Sequence, residues 1–450
     1  MTTHLSSSAT PVSQAERISL LDSLRGFAIL GILLMNIPGF GLPAGVGYDP
    51  SIWKETGINY QLWYWMSLVP EGTQRALFSM LFGAGILLFT SRAEKKLEGS
   101  WPADYFLRRQ LWLLLFGLID IWLLLWYGDI LFDYALLGML MFTFRRLPAK
   151  KLIIGSVICL LCMVGRETRD LYVDKAIITT GEQVAAIDTT KTKLTVQQKE
   201  DLAAMTGFKE ESSHASKVKR MEKAIRKTQG SFGDVYEYRG DTYMRFLVRY
   251  LYYSPWDVLT FMFLGMAFFK LGIITGHASL RVYWIMAIAG LGIGLTLSYL
   301  RLLATIQHDF NWYENAKNEF IDLYTLSRYA RSIGLLGLLI LLYRSGWFNW
   351  LFNLMKPVGQ MAFTNYLTQS LLCGLFFYGV GFGKYGKLNR LEVYYVVLAV
   401  WFIQIIWSHL WLRYFNFGPF EWVWRSLTYW KKHPMRRQAK PGSREVGATV

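Results

Sequence analysis

The sequence is poor in the residues that define most soluble protein classes. Of 450 residues, only 3 are cysteine and 6 are histidine. Cys159, Cys162 and Cys373 all fall inside apolar stretches. Cys159 and Cys162 have CxxC spacing, but no second pair follows. A disulfide framework and a zinc site are therefore unsupported, and apolar packing is the plain reading. Charge is sparse, at 18% of residues. No P-loop or dinucleotide-binding signature occurs, and the GLGIG at 290–294 lies in an apolar helical pattern with no preceding strand. Residues 1–16 are polar, without a basic start leading into a short apolar core, so no cleavable signal peptide is expected.

What is present is apolar and basic. Apolar residues make up 53% and aromatic residues 16%, which excludes intrinsic disorder for most of the chain. Lys plus Arg is 48 and Asp plus Glu is 32, a formal net charge of +16. Such a balance suggests a nucleic-acid binder, but those are rarely this apolar, and no nucleic acid is expected as a partner. Apolar runs of about 18 to 22 residues recur, each long enough to cross a bilayer. The expected class is all-α, a polytopic integral membrane helix bundle.

About ten spans are expected, near 24–43, 68–91, 109–127, 129–144, 152–165, 254–274, 281–303, 326–343, 358–380 and 392–414. The fourth and fifth are short, hence tilted or covered by neighbours. Residues 58–69 form an aromatic interfacial segment. Arg92, Arg108, Arg109, Arg145, Arg146, Lys270, Arg281, Arg344 and the tail's Arg425 to Arg437 fall on one side if both termini are cytoplasmic. Lys384, Lys387 and Arg390 are exceptions on the far side. The expected organisation is a disordered tail at 1–16, a membrane bundle at 17–165, and an extracytoplasmic polar insertion at 166–250. A second bundle follows at 251–430, then a basic disordered tail at 431–450. Within the insertion, KLTVQQKEDLAAMTGFKEE and SKVKRMEKAIRKTQG read as solvated helices.

Few polar groups interrupt the spans. Asp22 and Arg25 share a helix face at the start of the first span. They are either a helix-end ion pair or the edge of a cavity where Arg25 meets a phosphate. Asn36 lies on the same face about three turns on. Asp120 is inside a span, where a carboxylate is costly and functional by default. Asp129 follows Gly128 and is either a helix cap or a site residue. Gln360, Thr364, Asn365, Gln369 and Ser370 form a polar stripe that either joins helices or lines a cavity. Glu421 and Arg425 are four apart and are expected to pair. His308 is a lone candidate base in the outer loop, and His409 reads as structural.

The run LDSLRGFAILGILLMNI resembles the opening of the YeiB-like bacterial inner-membrane family, named for a domain of unknown function. RALFSMLFGAGILL (75–88), RRQLWLLLFGLIDIWLLLWYGDILFDYALLG (108–138), PVGQMAFTNYLTQSLL (357–372) and FGPFEWVWRSLTYW (417–430) resemble its later motifs. The Asp–x–x–Arg–Gly opening is more distantly similar to transmembrane acyltransferases of the heparan-glucosaminide acetyltransferase type. That resemblance implies transfer of an acyl group from cytosolic acyl-CoA to a glycan or other envelope acceptor. Acyl-CoA would be a co-substrate, with no permanently bound cofactor or metal. Asn36, Asp120 and Asp129 would be catalytic, and Asp120 stands where family members carry His. Asp22, Arg25, Arg75, Gln360, Asn365 and Gln369 would bind substrate, with Arg25 and Arg75 at one donor cavity. The loop 37–59 holds no His to match the acetyltransferase base. A solute transporter using the buried carboxylates is the alternative. The remaining expected partners are membrane lipid and a second copy of the chain as a homodimer.

Overall fold

A computed structural model describes residues 18–96 and 101–437. The expected tail at 1–16 and residues 438–450 of the expected tail at 431–450 lie outside the described residues, whereas 431–437 lie against the end of α15, with Asn416 N donating to the Met435 carbonyl and Arg437 N to that of Tyr414. The described residues form sixteen α-helices and no strand. They are α1 (Ser19–Gly41), α2 (Gly57–Leu68), α3 (Thr73–Lys96), α4 (Trp101–Trp122), α5 (Leu131–Phe142), α6 (Ala149–Ala185), α7 (Val196–Ser212) and α8 (His214–Thr228). Then come α9 (Phe232–Lys270), α10 (Leu280–Gln307), α11 (Trp312–Asn318), α12 (Tyr324–Ser345), α13 (Asn349–Gln360), α14 (Ala362–Phe377), α15 (Arg390–Tyr414) and α16 (Pro419–Tyr429).

The apolar surface identifies the solvent. On α10 the residues Trp284, Ile285, Ile288, Ile293 and Leu300 all face outward, and on α15 so do Leu398, Phe402, Ile403 and Leu410. Water would make such belts costly, whereas lipid accepts them. Five stretches are long and apolar enough to cross a membrane: Ser19–Gly41, Gly57–Arg92, Leu280–Gln307, Tyr324–Ser345 and Arg390–Tyr414. The chain is an all-α membrane protein. The other expected spans map onto α4, α5, α6, α9 and α14, which are shorter, or more polar over part of their length.

The helix bundle has two ends. The basal end carries the start of α1, the α5–α6 turn, the end of α9 and α16. There Lys270 Nζ donates to the Leu147 carbonyl at 2.6 Å and Trp424 Nε1 to the Arg109 carbonyl at 2.8 Å. The apical end carries residues 42–56, α7, α8, α11 and the loop before α15. Lys217 Nζ bonds Asp49 Oδ2 at 2.7 Å and the Phe310 carbonyl at 2.8 Å. Arg390, an exception to the charge bias, is a buried pin in this cap. It pairs with Glu55 at 2.8 Å and donates to the Val46 and Gly47 carbonyls.

The polar stretches expected at 166–250 do form helices. α7 starts with a Thr195–Gln198 capping box, and Ser213 caps α8. The segment is not set apart by the backbone, however. α6 runs 37 residues through position 166, and α9 runs 39 residues through position 250 from a Ser231–Asp234 capping box. Hydropathy changes along these helices without a break in the chain, because intrahelical hydrogen bonding is indifferent to what surrounds each face.

The expected span 358–380 is broken. Pro357 lies inside α13 and the helix ends at Gln360, before α14 resumes at Ala362. At this break α13 crosses α1 at backbone contact. A Cβ on Gly359 would run into the Asp22 carbonyl oxygen, and one on Gly26 into that of Met355. Only glycine permits the approach on both sides.

Candidate functional site

Four helix starts or ends meet at the basal end around a cavity of about 240 Å³. Its mouth is basic: Arg25 on α1, Arg92 on α3, Arg109 on α4 and Arg425 on α16 all line it. Its walls are apolar, including Leu81, Phe82, Phe106, Leu113, Leu131 and Phe363. Arg25 Nη1 holds Asp22 Oδ1 at 3.0 Å, and Gln360 Nε2 donates to Asp22 Oδ2 at 3.3 Å. Asp22 thereby fixes both groups at the rim. The Arg109 guanidinium stacks 4.2 Å from the Trp424 ring centroid and 5.0 Å from Phe89, so its position is set by aromatic faces. Glu421, expected to pair with Arg425, commits its oxygens to the start of α14. It accepts from Phe363 N at 2.8 Å, Thr364 N at 3.0 Å and Thr364 Oγ1 at 2.5 Å. An anion at a helix start satisfies donors that have no intrahelical partner.

Deeper in the cavity the polar groups are few. Gln110 is 2% exposed, and its side-chain oxygen has no hydrogen-bond donor among the described residues. Tyr134 and Tyr366 lie at the inner wall. Tyr366 Oη donates to Asp129 Oδ1 at 3.2 Å and accepts from Ile130 N at 3.1 Å. Asp129 Oδ2 accepts from Phe132 N at 2.8 Å, so Asp129 both caps the start of α5 and meets the cavity through Tyr366. Because α5 has only 12 residues, its start sits deep in the bundle. Asp120 is fully buried, and among the described residues neither of its carboxylate oxygens has a hydrogen-bond partner of normal geometry. Asp129 and Ser370 are its polar neighbours.

The sequence-predicted residues divide between places. Asp22, Arg25 and Gln360 are at the basal mouth, and Asp129 stands behind its inner wall. Asn36 is half-buried towards the apical end of α1 and lines neither this cavity nor the apical one described below. Asn365 and Gln369 are in a sealed hydrogen-bond network between helices. Asn365 Nδ2 donates to Ser408 Oγ at 3.1 Å and the Val358 carbonyl at 3.0 Å, while Trp407 Nε1 donates to Asn365 Oδ1 at 2.7 Å. Gln369 Nε2 bonds Gln404 Oε1 at 3.0 Å and the Ile29 carbonyl at 3.2 Å. This stripe joins α14 to α15 and α1.

Arg75 does not share a cavity with Arg25. α1 and α3 run antiparallel, and Arg25 is level with Gly85, ten residues and about 15 Å along α3 from Arg75. Arg75 instead pairs with Asp257, whose other oxygen pairs with Arg328. Arg328 is 2% and Asp257 4% exposed. The ionic cluster abuts the basal cavity, since Tyr134 Oη and Ser79 Oγ lie 2.5 Å apart and both reach the Arg75 carbonyl.

Sequence reasoning missed Arg328 and Asp257. A signal existed, because Arg328 and Arg331 fall within an apolar run where arginine is rare and costly. Tyr366 carried no such signal, being one of 26 tyrosines.

Residues 268–431 match the model of a protein family of unknown function, DUF418. Over 464 aligned residues the chain is 29% identical to the uncharacterized protein YxaH of Bacillus subtilis, covering 96% of this chain and 100% of that one. It is 28% identical to the uncharacterized protein YeiB of Escherichia coli, over 92% of this chain and 96% of the relative. An uncharacterized 39.9 kDa protein of Bacillus acidopullulyticus is 27% identical over 94% of this chain and 97% of its own length. No solved structure matches.

Proposed function

The chain belongs to the YeiB-like DUF418 family, and on that footing we propose that it is a transmembrane acyltransferase-like enzyme of the bacterial inner membrane. The basal end is cytoplasmic, in keeping with its Arg and Lys content, and the remaining long helices complete about ten crossings. The observation that carries the reading is the cavity itself: four arginines at the mouth, apolar walls, and a tyrosine–carboxylate pair at the inner end. Guanidinium groups suit phosphates, and the walls suit an acyl or pantetheine-like body. Gln110 Oε1 offers an unmet acceptor to an amide or hydroxyl donor on that ligand.

In this reading an acceptor hydroxyl attacks the thioester carbonyl. The new C–O bond forms as the C–S bond breaks. Tyr366 relays the hydroxyl proton to Asp129, and the same proton returns through Tyr366 to the departing CoA thiolate, which leaves as thiol. The acceptor is a glycan or other envelope hydroxyl approaching from the apical side. Asp120 is the positioning neighbour of Asp129. The test is equilibrium binding and hydrolysis of acyl-CoA by the purified chain in nanodiscs, wild type against Asp129→Asn. Hydrolysis should fall at least 100-fold while binding is retained. Unchanged hydrolysis in Asp129→Asn would refute the assignment.

A transporter reading draws on a different observation. The Arg75–Asp257–Arg328 cluster is buried in the bundle and touches the basal cavity through Tyr134. Intramembrane ion pairs of this kind also serve solute or proton pathways. Proton-coupled solute uptake in vesicles, with no acyl-CoA binding, would favour it.

A further inference from the structure

A second cavity, of about 720 Å³, opens at the apical end between α6, α9, α10 and α11. The mechanism above does not use it. Its lining reverses the charge of the rest of the molecule. In a chain of net charge +16, this cavity gathers Glu167, Asp170, Asp174, Glu319 and Asp322 against Arg169 and Arg301. Arg301 is matched from outside the cavity by Glu71 at 2.7 Å.

Aromatic rings form the remaining wall. Tyr252, Tyr253 and Trp312 line it, and the Trp312 ring is 45% exposed while its Nε1 is held by Asp174 Oδ2 at 3.0 Å. Glu167 supplies a third feature. Its Oε1 accepts from Thr325 Oγ1 at 2.8 Å, but its Oε2 is shielded from solvent and has no donor among the described residues. A buried acceptor left without a donor is costly.

We propose that the apical cavity is a binding site for a small primary organic ammonium ion. The excess carboxylates supply the charge match, and the Tyr253 and Trp312 rings attract a cation through their quadrupoles, the Tyr252 face being taken by Arg166 4.1 Å away. The ammonium N–H groups donate to the carboxylates that line the cavity, and a turn of the Glu167 carboxyl toward it would give Oε2 the donor it lacks. A bare metal ion fits less well: among the described residues no three His, Cys, Asp or Glu side chains converge closely enough to hold one.

The experiment is calorimetric titration of the full chain in nanodiscs with four probes: ethanolamine, choline, ethylene glycol and magnesium chloride. Ethanolamine should bind. Choline, which has no N–H, should bind at least fivefold more weakly, and ethylene glycol, which has no charge, should not bind. Glu167→Gln should weaken ethanolamine at least tenfold. Should that variant fail to fold, Glu319→Gln, whose side chain makes no hydrogen bond among the described residues, should weaken it two- to fivefold. Arg92→Ala in the basal cavity should change nothing here, which separates this site from the acyl-donor reading. Equal binding of ethylene glycol, equal binding of choline, preference for magnesium, or unaltered affinity in both carboxylate variants would overturn the proposal.

Discussion

Replacing Asp257 by Asn tests whether the buried ionic cluster is organised around one carboxylate. Two guanidinium groups, from α3 and α12, share the oxygens of Asp257 on α9. All three helices are therefore tied at one point. Removing one partner of a buried ion pair typically costs about 3–5 kcal/mol, because the remaining charge is left uncompensated. In Asp257→Asn two arginines lose their shared counter-charge at once, so the upper part of that range applies. That is close to four orders of magnitude in the folding equilibrium, at about 1.4 kcal/mol per decade. Arg328→Met should cost less, about 1–3 kcal/mol, since Asp257 keeps Arg75. The double variant should be more stable than the sum of the two losses implies, by at least about 1 kcal/mol, because the two changes remove one shared interaction. The assay is reversible unfolding of the detergent-solubilised protein by SDS, followed by tryptophan fluorescence. Equal destabilisation by Asp257→Asn and Arg328→Met, with strict additivity, would refute a cluster centred on Asp257.

Three further outcomes follow from the same geometry. Asn365→Ala should lower stability by about 1–3 kcal/mol, since Ser408 and Trp407 lose a buried partner, while acyl-CoA affinity measured in nanodiscs stays within twofold. Gly359→Ala should disrupt the α1–α13 crossing, seen as a fall of several degrees in the midpoint of thermal unfolding and reduced detergent-soluble yield. Lys317, 2.6 Å away, holds the Glu182 carboxyl below its ordinary range. Because the folded value is lowered, this contact stabilises docking of α11 above the ordinary glutamate value of about 4.3 and is lost as pH falls through the lowered one. Trp312 fluorescence should therefore change below about pH 4, and Glu182→Gln should abolish that change.

The fold was legible where a run of residues carries the signal. Apolar run length marked the long helices, and mixed charge marked α7 and α8 as polar helices. The break between α13 and α14 ran against the expected continuous span 358–380, because an apolar run does not show where Pro357 interrupts the helix. Legibility failed where a residue has two readings. Arg92, Arg109 and Arg425 were each read as topology markers in separate segments. Only the packing of α3, α4 and α16 around α1 brings them to one mouth. Arg75 went the other way: it was assigned to one donor cavity with Arg25, yet the antiparallel packing of α1 and α3 separates the two. Asn365 and Gln369 have the spacing of a cavity lining, and their partners Gln404 and Ser408 come from α15, which local pattern does not reveal.

The central claim is that the basal cavity holds an anionic acyl donor through its arginines. The most direct measurement is the affinity of the purified chain in nanodiscs for palmitoyl-CoA, with free palmitate and dephospho-CoA as comparisons. The Arg109→Ala and Arg425→Ala variants are measured alongside. Palmitoyl-CoA should bind saturably, at least tenfold more weakly in each variant, and more weakly with added salt. Binding that is absent, or that persists unchanged when both arginines are removed together, would contradict it.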